Sequence, residues 1–186
     1  METMRRIVAG LFMSVDGVVD GTGGWQYPYF DEELGAAMAA GPRPDALLLG
    51  RRTYEGYVAL RAENPDAAVL GLIDATDTYV VSSKMPAEAQ QDSITVLGAD
   101  PVDDVERIRR AGDGEVLVLG SPTLVRWLLG LGLLDQLRLF VLPVVVGTGL
   151  RLLDAAAGEG PHPLALASSR ALRSGVLELR YTPTEH

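Results

Sequence analysis

Three short clusters in this 186-residue sequence have the residue types that bind an anion. Gly50-Arg51-Arg52-Thr53 places a glycine, two guanidinium groups and a hydroxyl in what reads as the opening turn of a helix. Free helix-start amides, positive charge and a hydroxyl can converge there on a phosphate. The same residues also fit a plain solvated, basic helix start. Ser82-Ser83-Lys84 brings two hydroxyls and an ammonium to the end of a short apolar run. Gly120-Ser121-Pro122-Thr123 is a small-residue turn between an apolar strand and an apolar helix, with proline where a first helical position tolerates it.

Two carboxylates have the setting for proton transfer, Asp16 and Asp31. Asp16 lies in Ser14-Val15-Asp16-Gly17, and both this Asp-Gly and the one at 20–21 fit turn chemistry. Asp31 follows Trp25-Gln26-Tyr27-Pro28-Tyr29-Phe30, the densest aromatic stretch in the chain. Trp25 and Phe30 could wall a flat ring, or the cluster could lid the protein's own core. Burial against Trp25, Tyr27 and Phe30 would raise the Asp31 pKa toward a useful value. The competing reading makes Asp31 a helix N-cap.

The elements that must hold these residues follow from apolar patterning. Residues 116–119 are a continuous apolar run, as a strand buried on both faces requires; 7–13 and 46–49 read as buried strands, and 78–81 and 94–97 as further strands. Helices are expected over 31–40, 53–60, 67–75, 101–111 and 123–131. A strand at 136–143 follows, then a glycine- and proline-containing loop at 155–163. An antiparallel hairpin over 164–172 and 176–181 turns at Arg173-Ser174-Gly175. Strand–turn–helix–strand alternation indicates an α/β protein with a mostly parallel sheet. With no repeat or linker, residues 1–186 are expected to be one domain.

Composition narrows the function. A net charge of −9 argues against phosphate-backbone binding, so no nucleic-acid partner is expected. The absence of cysteine removes disulfides and thiolate metal sites, and two histidines, one of them the last residue, argue against a metal centre. No apolar stretch reaches the ~18 residues a membrane span needs. The N-terminus lacks a signal-peptide pattern, and a cytoplasmic location is expected.

Read in order, Ser14–Gly17, G-R-x-T at 50–53, V-S-S-K at 81–84, the turn at Gly120-Ser121, L-L-D-Q-L-R-L at 133–139 and P-x-x-x-G-x-G at 143–149 form a pattern. The chain resembles the dihydrofolate-reductase-like fold, specifically the reductase domain of bacterial riboflavin biosynthesis and its stand-alone relatives. The resemblance spans nearly the whole chain. It implies a twisted, mostly parallel sheet with helices on both faces and antiparallel C-terminal strands, and NADPH as cofactor.

Carried over by position, Gly50, Arg51 and Thr53 match residues holding the adenosine phosphate and pyrophosphate. Ser82, Ser83 and Lys84 match the wall of the adenosine 2′-phosphate site. Gly120, Ser121 and Thr123 match the glycine turn and helix start over the pyrophosphate, and Val19 matches the nicotinamide edge. Asp31, or alternatively Asp16, matches the substrate-side carboxylate. The family's second glycine is Ser121 here, and Pro122 removes one amide donor.

The function expected from these residues is NADPH-dependent reduction of a small pterin-, folate- or pyrimidine-like heterocycle. The alternative is a non-catalytic nucleotide- or heterocycle-binding module on the same fold. The apolar run 137–146 exceeds what one strand buries. Part of it is expected at a homodimer interface, which the resemblance also implies.

Overall fold

The computed structural model describes residues 3–21, 23–85, 93–98, 100–153 and 162–184. In chain order its elements begin with strand β1 (Arg6–Ser14), a single 3₁₀ turn (Tyr27–Tyr29) and helix α1 (Glu32–Ala39). Strand β2 (Ala46–Gly50), helices α2 (Arg51–Glu63) and α3 (Ala68–Asp74), and strands β3 (Asp77–Val81) and β4 (Ile94–Leu97) follow. Helix α4 (Val102–Arg110), strand β5 (Glu115–Leu119), helix α5 (Pro122–Gly130) and strands β6 (Gln136–Leu142), β7 (Leu164–Ala171) and β8 (Leu177–Pro183) complete the chain. The architecture is that of a mixed α/β protein whose strands are mostly parallel, with the C-terminal pair antiparallel. The loop expected at 155–163 lies, apart from its last two residues, outside the described residues.

The chain forms two compact units. The first comprises Met1–Ile7 and Arg43–Leu124, the second Val8–Pro42 and Val125–His186. In the first, the strand order is β4-β3-β2-β5 with every neighbouring pair parallel. Leu47, Leu48 and Leu49 are fully buried, which explains why β2 reads as an unbroken apolar run. Leu70 and Ile73 of α3 pack with Leu47, while Val80 and Ile94 pack with Leu49. Helix α4 carries Asp103 and Asp104 in its first turn and three arginines in its last, the polarity its dipole favours.

In the second unit the order is β1-β6-β8-β7, with β1 parallel to β6 and the last two pairings antiparallel. Leu34 and Ala37 of α1 pack with Phe140, Leu142, Leu172 and Val176 in one apolar cluster. Residues 15–16 make a turn, and Val18 forms an isolated antiparallel bridge with Arg151. Among the described residues, no helix is long and apolar enough to cross a membrane.

Candidate cofactor site

Within the first unit, the carboxyl ends of β2, β3 and β4 open onto a cavity of about 310 Å³ lined by Arg51, Val81, Ser82, Ser83, Lys84 and Gly98. Each residue arrives by a short route. Gly50 ends β2 and α2 begins at Arg51 with no loop between them. Ser82 directly follows β3, and Gly98 directly follows β4. Ligands in open α/β sheets collect at such strand ends.

The cavity's chemistry is cationic and hydroxylic. Lys84 is the only lysine in the sequence, and it is exposed here. Ser82 Oγ accepts hydrogen bonds from the Lys84 and Met85 amides at 3.1 and 2.9 Å, so its own proton stays available to a ligand. Arg51 is paired with Glu55 one turn along α2 at 2.6 Å. That pair is half open to water, where an ion pair holds weakly enough for a phosphate to compete for the guanidinium.

The second half of the anticipated site behaves differently. Gly120 and Ser121 both have left-handed backbone, φ 55° and 54°, and Ser121 is the only such non-glycine among the described residues. The pair thus retains the geometry that paired glycines allow, at a cost to serine. Ser121 is held there by its neighbours. The Gly50 amide donates to Ser121 Oγ at 2.8 Å, and the Ser121 amide donates to Thr53 Oγ1 at 3.1 Å. The Ser121 hydroxyl has two acceptors in reach, Thr53 Oγ1 at 2.8 Å and the Leu119 carbonyl at 3.1 Å. A side chain on Gly120 would press on Thr53 Cγ2 at 3.3 Å. Gly50, Thr53 and Ser121, expected to face an anion, instead bind one another through their amides and hydroxyls. Thr123 is exposed in the first turn of α5.

In the second unit, Asp16 is fastened in place. Its carboxylate accepts from the Ser14 hydroxyl at 2.7 Å, the Val146 amide at 3.0 Å and the Gly147 amide at 2.8 Å. Arg151 adds a hydrogen bond from Nε to the Asp16 carbonyl at 3.0 Å and an ion pair at 3.6 Å. The Ser14 hydroxyl, followed by the Val146 amide, holds the Asp16 pKa down at about 2. Asp16 therefore stays ionised near neutral pH and latches the S-V-D-G turn to the P-x-x-x-G-x-G segment. Ser14 and Arg151 were missed as members of this group. The spacing between the two motifs carried no hint that they meet.

Asp31 is the N-cap of α1, its Oδ1 accepting from the Leu34 amide at 2.7 Å. Its expected burial against the aromatic cluster is not found, since Asp31 is exposed. The reason is that the cluster divides. Trp25 and Tyr29 turn inward against the α1–β6 core, with Trp25 Nε1 donating to the Asp20 carbonyl at 2.6 Å. Tyr27 and Phe30 turn outward, 68% and 46% exposed. Phe30 rests on Phe12 with ring centroids 5.0 Å apart. Val19 is half-buried, and its amide donates to the Leu150 carbonyl at 2.8 Å.

Comparison with known proteins decides the family. Residues 5–177 match the profile of the RibD C-terminal domain. The chain belongs to the RibD C-terminal domain family. Among curated relatives of this family member, the uncharacterized protein YyaP of Bacillus subtilis (strain 168) is 25% identical over 95% of this chain and 94% of its own length.

Among solved structures, a Shewanella sp. PV-4 protein provisionally described as a riboflavin biosynthesis protein aligns with TM-score 0.75 at 18% identity, covering 97% of this chain and 99% of that one. A pyrimidine reductase-like protein of Corynebacterium diphtheriae aligns with TM-score 0.66 at 15% identity, over 98% and 93%. Enterococcus faecalis dihydrofolate reductase, solved with NADP(H), aligns with TM-score 0.66 at 14% identity, over 98% and 99%. At these identities the likeness is one of fold: this RibD C-terminal domain has the dihydrofolate-reductase-like fold, a reductase-type scaffold.

Proposed function

We propose that this chain is an NADPH-dependent reductase that delivers a hydride to a small, flat, nitrogen-rich heterocycle of the pterin, folate or pyrimidine kind. The observation that carries the reading is the cavity at the ends of β2, β3 and β4, where Arg51, Ser82, Ser83 and the sole lysine line one space. A 2′-phosphate would find two cations and at least one undirected hydroxyl proton there. Bound NADPH would supply the hydride, and the chain's residues would hold and orient it. Arg51 exchanges Glu55 for phosphate, Lys84 adds a mobile point charge, and Ser82 donates its hydroxyl.

Where the substrate needs a proton, Asp31 is the carboxylate to test. Asp16 is held ionised by its donors, whereas only Oδ1 of Asp31 is engaged in capping. The exposed face of Phe30 would stack the heterocycle. The test is NADPH consumption by pure protein across pterin, dihydrofolate and aminopyrimidine substrates. Turnover that falls at least ~10-fold in Lys84→Ala through KM for NADPH supports the reading. Saturable NADPH binding with no turnover on any of them defeats it.

One observation favours a second reading, a binding module without turnover. The Gly50 and Ser121 amides and the Thr53 hydroxyl are engaged with one another. On that reading Ser121→Gly, which releases the Gly50 amide and the Thr53 hydroxyl, tightens NADPH binding and still yields no reaction.

A further inference from the structure

The second unit carries the aromatic wall, and the segment that supplies it, Val8–Pro42, is anionic. It contains Asp16, Asp20, Asp31, Glu32 and Glu33 and no lysine, arginine or histidine. Phe12, Phe30 and Tyr27 form a row on this segment, with ring centroids 5.0 Å and then 6.2 Å apart. Phe30 and Tyr27 are the exposed end of the row. An aromatic ring presents a negative face, so an anion laid along the row is repelled by the rings as well as by the carboxylates.

Helix α1 starts directly after Phe30 and Asp31, and a helix start ordinarily attracts anions. This one is filled by its own carboxylates. Asp31 accepts from the Leu34 amide, and Glu32 and Glu33 occupy the first turn. The six arginines in the rest of the unit are committed elsewhere. Arg151 is bound to the Asp16 carboxylate and carbonyl and to the Gly147 carbonyl. Arg170 and Arg180 enclose Glu178, which is 4% exposed, through contacts of 2.6 Å each. Arg138 is buried beside Gly41, past the opposite end of α1, and Arg126 donates to the Arg151 carbonyl at 3.4 Å.

Arg173 alone reaches the first turn of α1, where its amide and Nε donate to Glu33 Oε2 at 2.9 and 3.1 Å. An anion that drew Arg173 away from Glu33 would stand among Asp31, Glu32 and Glu33 with a single guanidinium to face them. Arg51 of the first unit differs, because Lys84 lines the same cavity and no run of carboxylates does.

We infer that the substrate of this site is an uncharged or cationic flat heterocycle, with no phosphate or carboxylate on any part that lies along the aromatic wall. The inference rests on the reductase reading and narrows it. Among pterin-, folate- and pyrimidine-like compounds it selects those without an acidic tail. A positively charged ring gains twice, from the ring faces of Phe30 and Tyr27 and from the carboxylates around them.

Equilibrium dialysis of the full chain tests this, with excess NADP⁺ to occupy the cationic cavity. The probes are hydroxymethylpterin, its phosphate ester and pterin carboxylate, and NADPH consumption is followed with the dihydro form of each. Hydroxymethylpterin is expected to bind at least ~10-fold more tightly than either anionic relative, by a gap that shrinks as salt is raised. Glu32→Lys, at an exposed position in the first turn of α1, is expected to narrow the gap at least ~3-fold. Equal or tighter binding of an anionic probe overturns the inference alone, whatever the turnover. A gap that neither salt nor Glu32→Lys moves is not electrostatic and overturns it equally. The expected binding order without NADPH consumption upholds the inference and defeats the reductase reading. Binding of none of the three overturns both.

Discussion

The turn at Ser121 offers a prediction whose sign runs against ordinary experience. Serine there is in left-handed backbone at φ 54° and is kept in it by Gly50, Thr53 and Leu119. Ser121→Ala keeps the strained backbone but deletes Oγ. The Gly50 amide loses its acceptor and Thr53 loses a partner in a part-buried setting, which costs about 2–3 kcal/mol. Ser121→Gly deletes the same hydrogen bonds but releases roughly 1 kcal/mol of left-handed strain. Glycine should therefore be the milder substitution, although elsewhere it destabilises relative to alanine. For a chain of this length, alanine should lower Tm by roughly 5–10 °C and glycine by about 2–4 °C less than that. Thermal and urea unfolding of the two variants beside wild type measure the order. A glycine variant no more stable than the alanine one would refute the strain argument. Wild-type stability in both would refute the hydrogen-bond network.

Three further perturbations follow from the same geometry. The Asp16 pKa is depressed in the folded chain from 3.8 to about 2, so its stabilisation is complete above the unfolded value and is lost as pH falls through the folded one. Acid unfolding of Asp16→Asn should accordingly be flatter between about pH 4 and 2 than that of wild type, and equal slopes would contradict the latch. Glu178 is pushed up by burial, but hydrogen bonds from Arg180 and Arg170 outweigh this and leave it below its ordinary value. Glu178→Gln, which strands two arginines, should cost about 1–3 kcal/mol by chemical denaturation. Asp31→Asn keeps the α1 cap while Asp31→Ala loses about 1 kcal/mol with it. A reductase rate that falls in both, with stability falling only in alanine, would separate proton donation from capping.

Much of the fold was legible because the inner parallel strand β2 is covered on both faces. Residues 46–49 and 116–119, in the inner strands β2 and β5, are continuous apolar runs, and the expected segments 78–81 and 94–97 also lie within strands although Thr95 of β4 is exposed. Helix α2 starts earlier than expected because β2 passes into it at Gly50 without a loop. The cationic cavity was legible for the same reason: Arg51 and Ser82–Lys84 each follow a strand end, and neighbouring parallel strands carry their ends to one edge.

What escaped were pairings between distant loops. Ser121 meets Gly50 across 71 positions and Thr53 across 68, and Asp16 meets Val146 across 130. Motif spacing contains no term for which loop packs on which. The aromatic stretch misled for a local reason: the 3₁₀ turn at Tyr27–Tyr29 sends alternate rings to opposite sides, so Asp31 gains no apolar cover.

The central claim is that Arg51, Ser82, Ser83 and Lys84 form a site for the 2′-phosphate of NADPH. Titration of the ligand-free protein with NADPH and with NADH, followed by tryptophan fluorescence, tests it most directly. The account predicts NADPH binding at least ~10-fold tighter than NADH, with the preference shrinking in Lys84→Ala and at high salt. Equal affinity for the two nucleotides, or a preference indifferent to Lys84 and to salt, would contradict it.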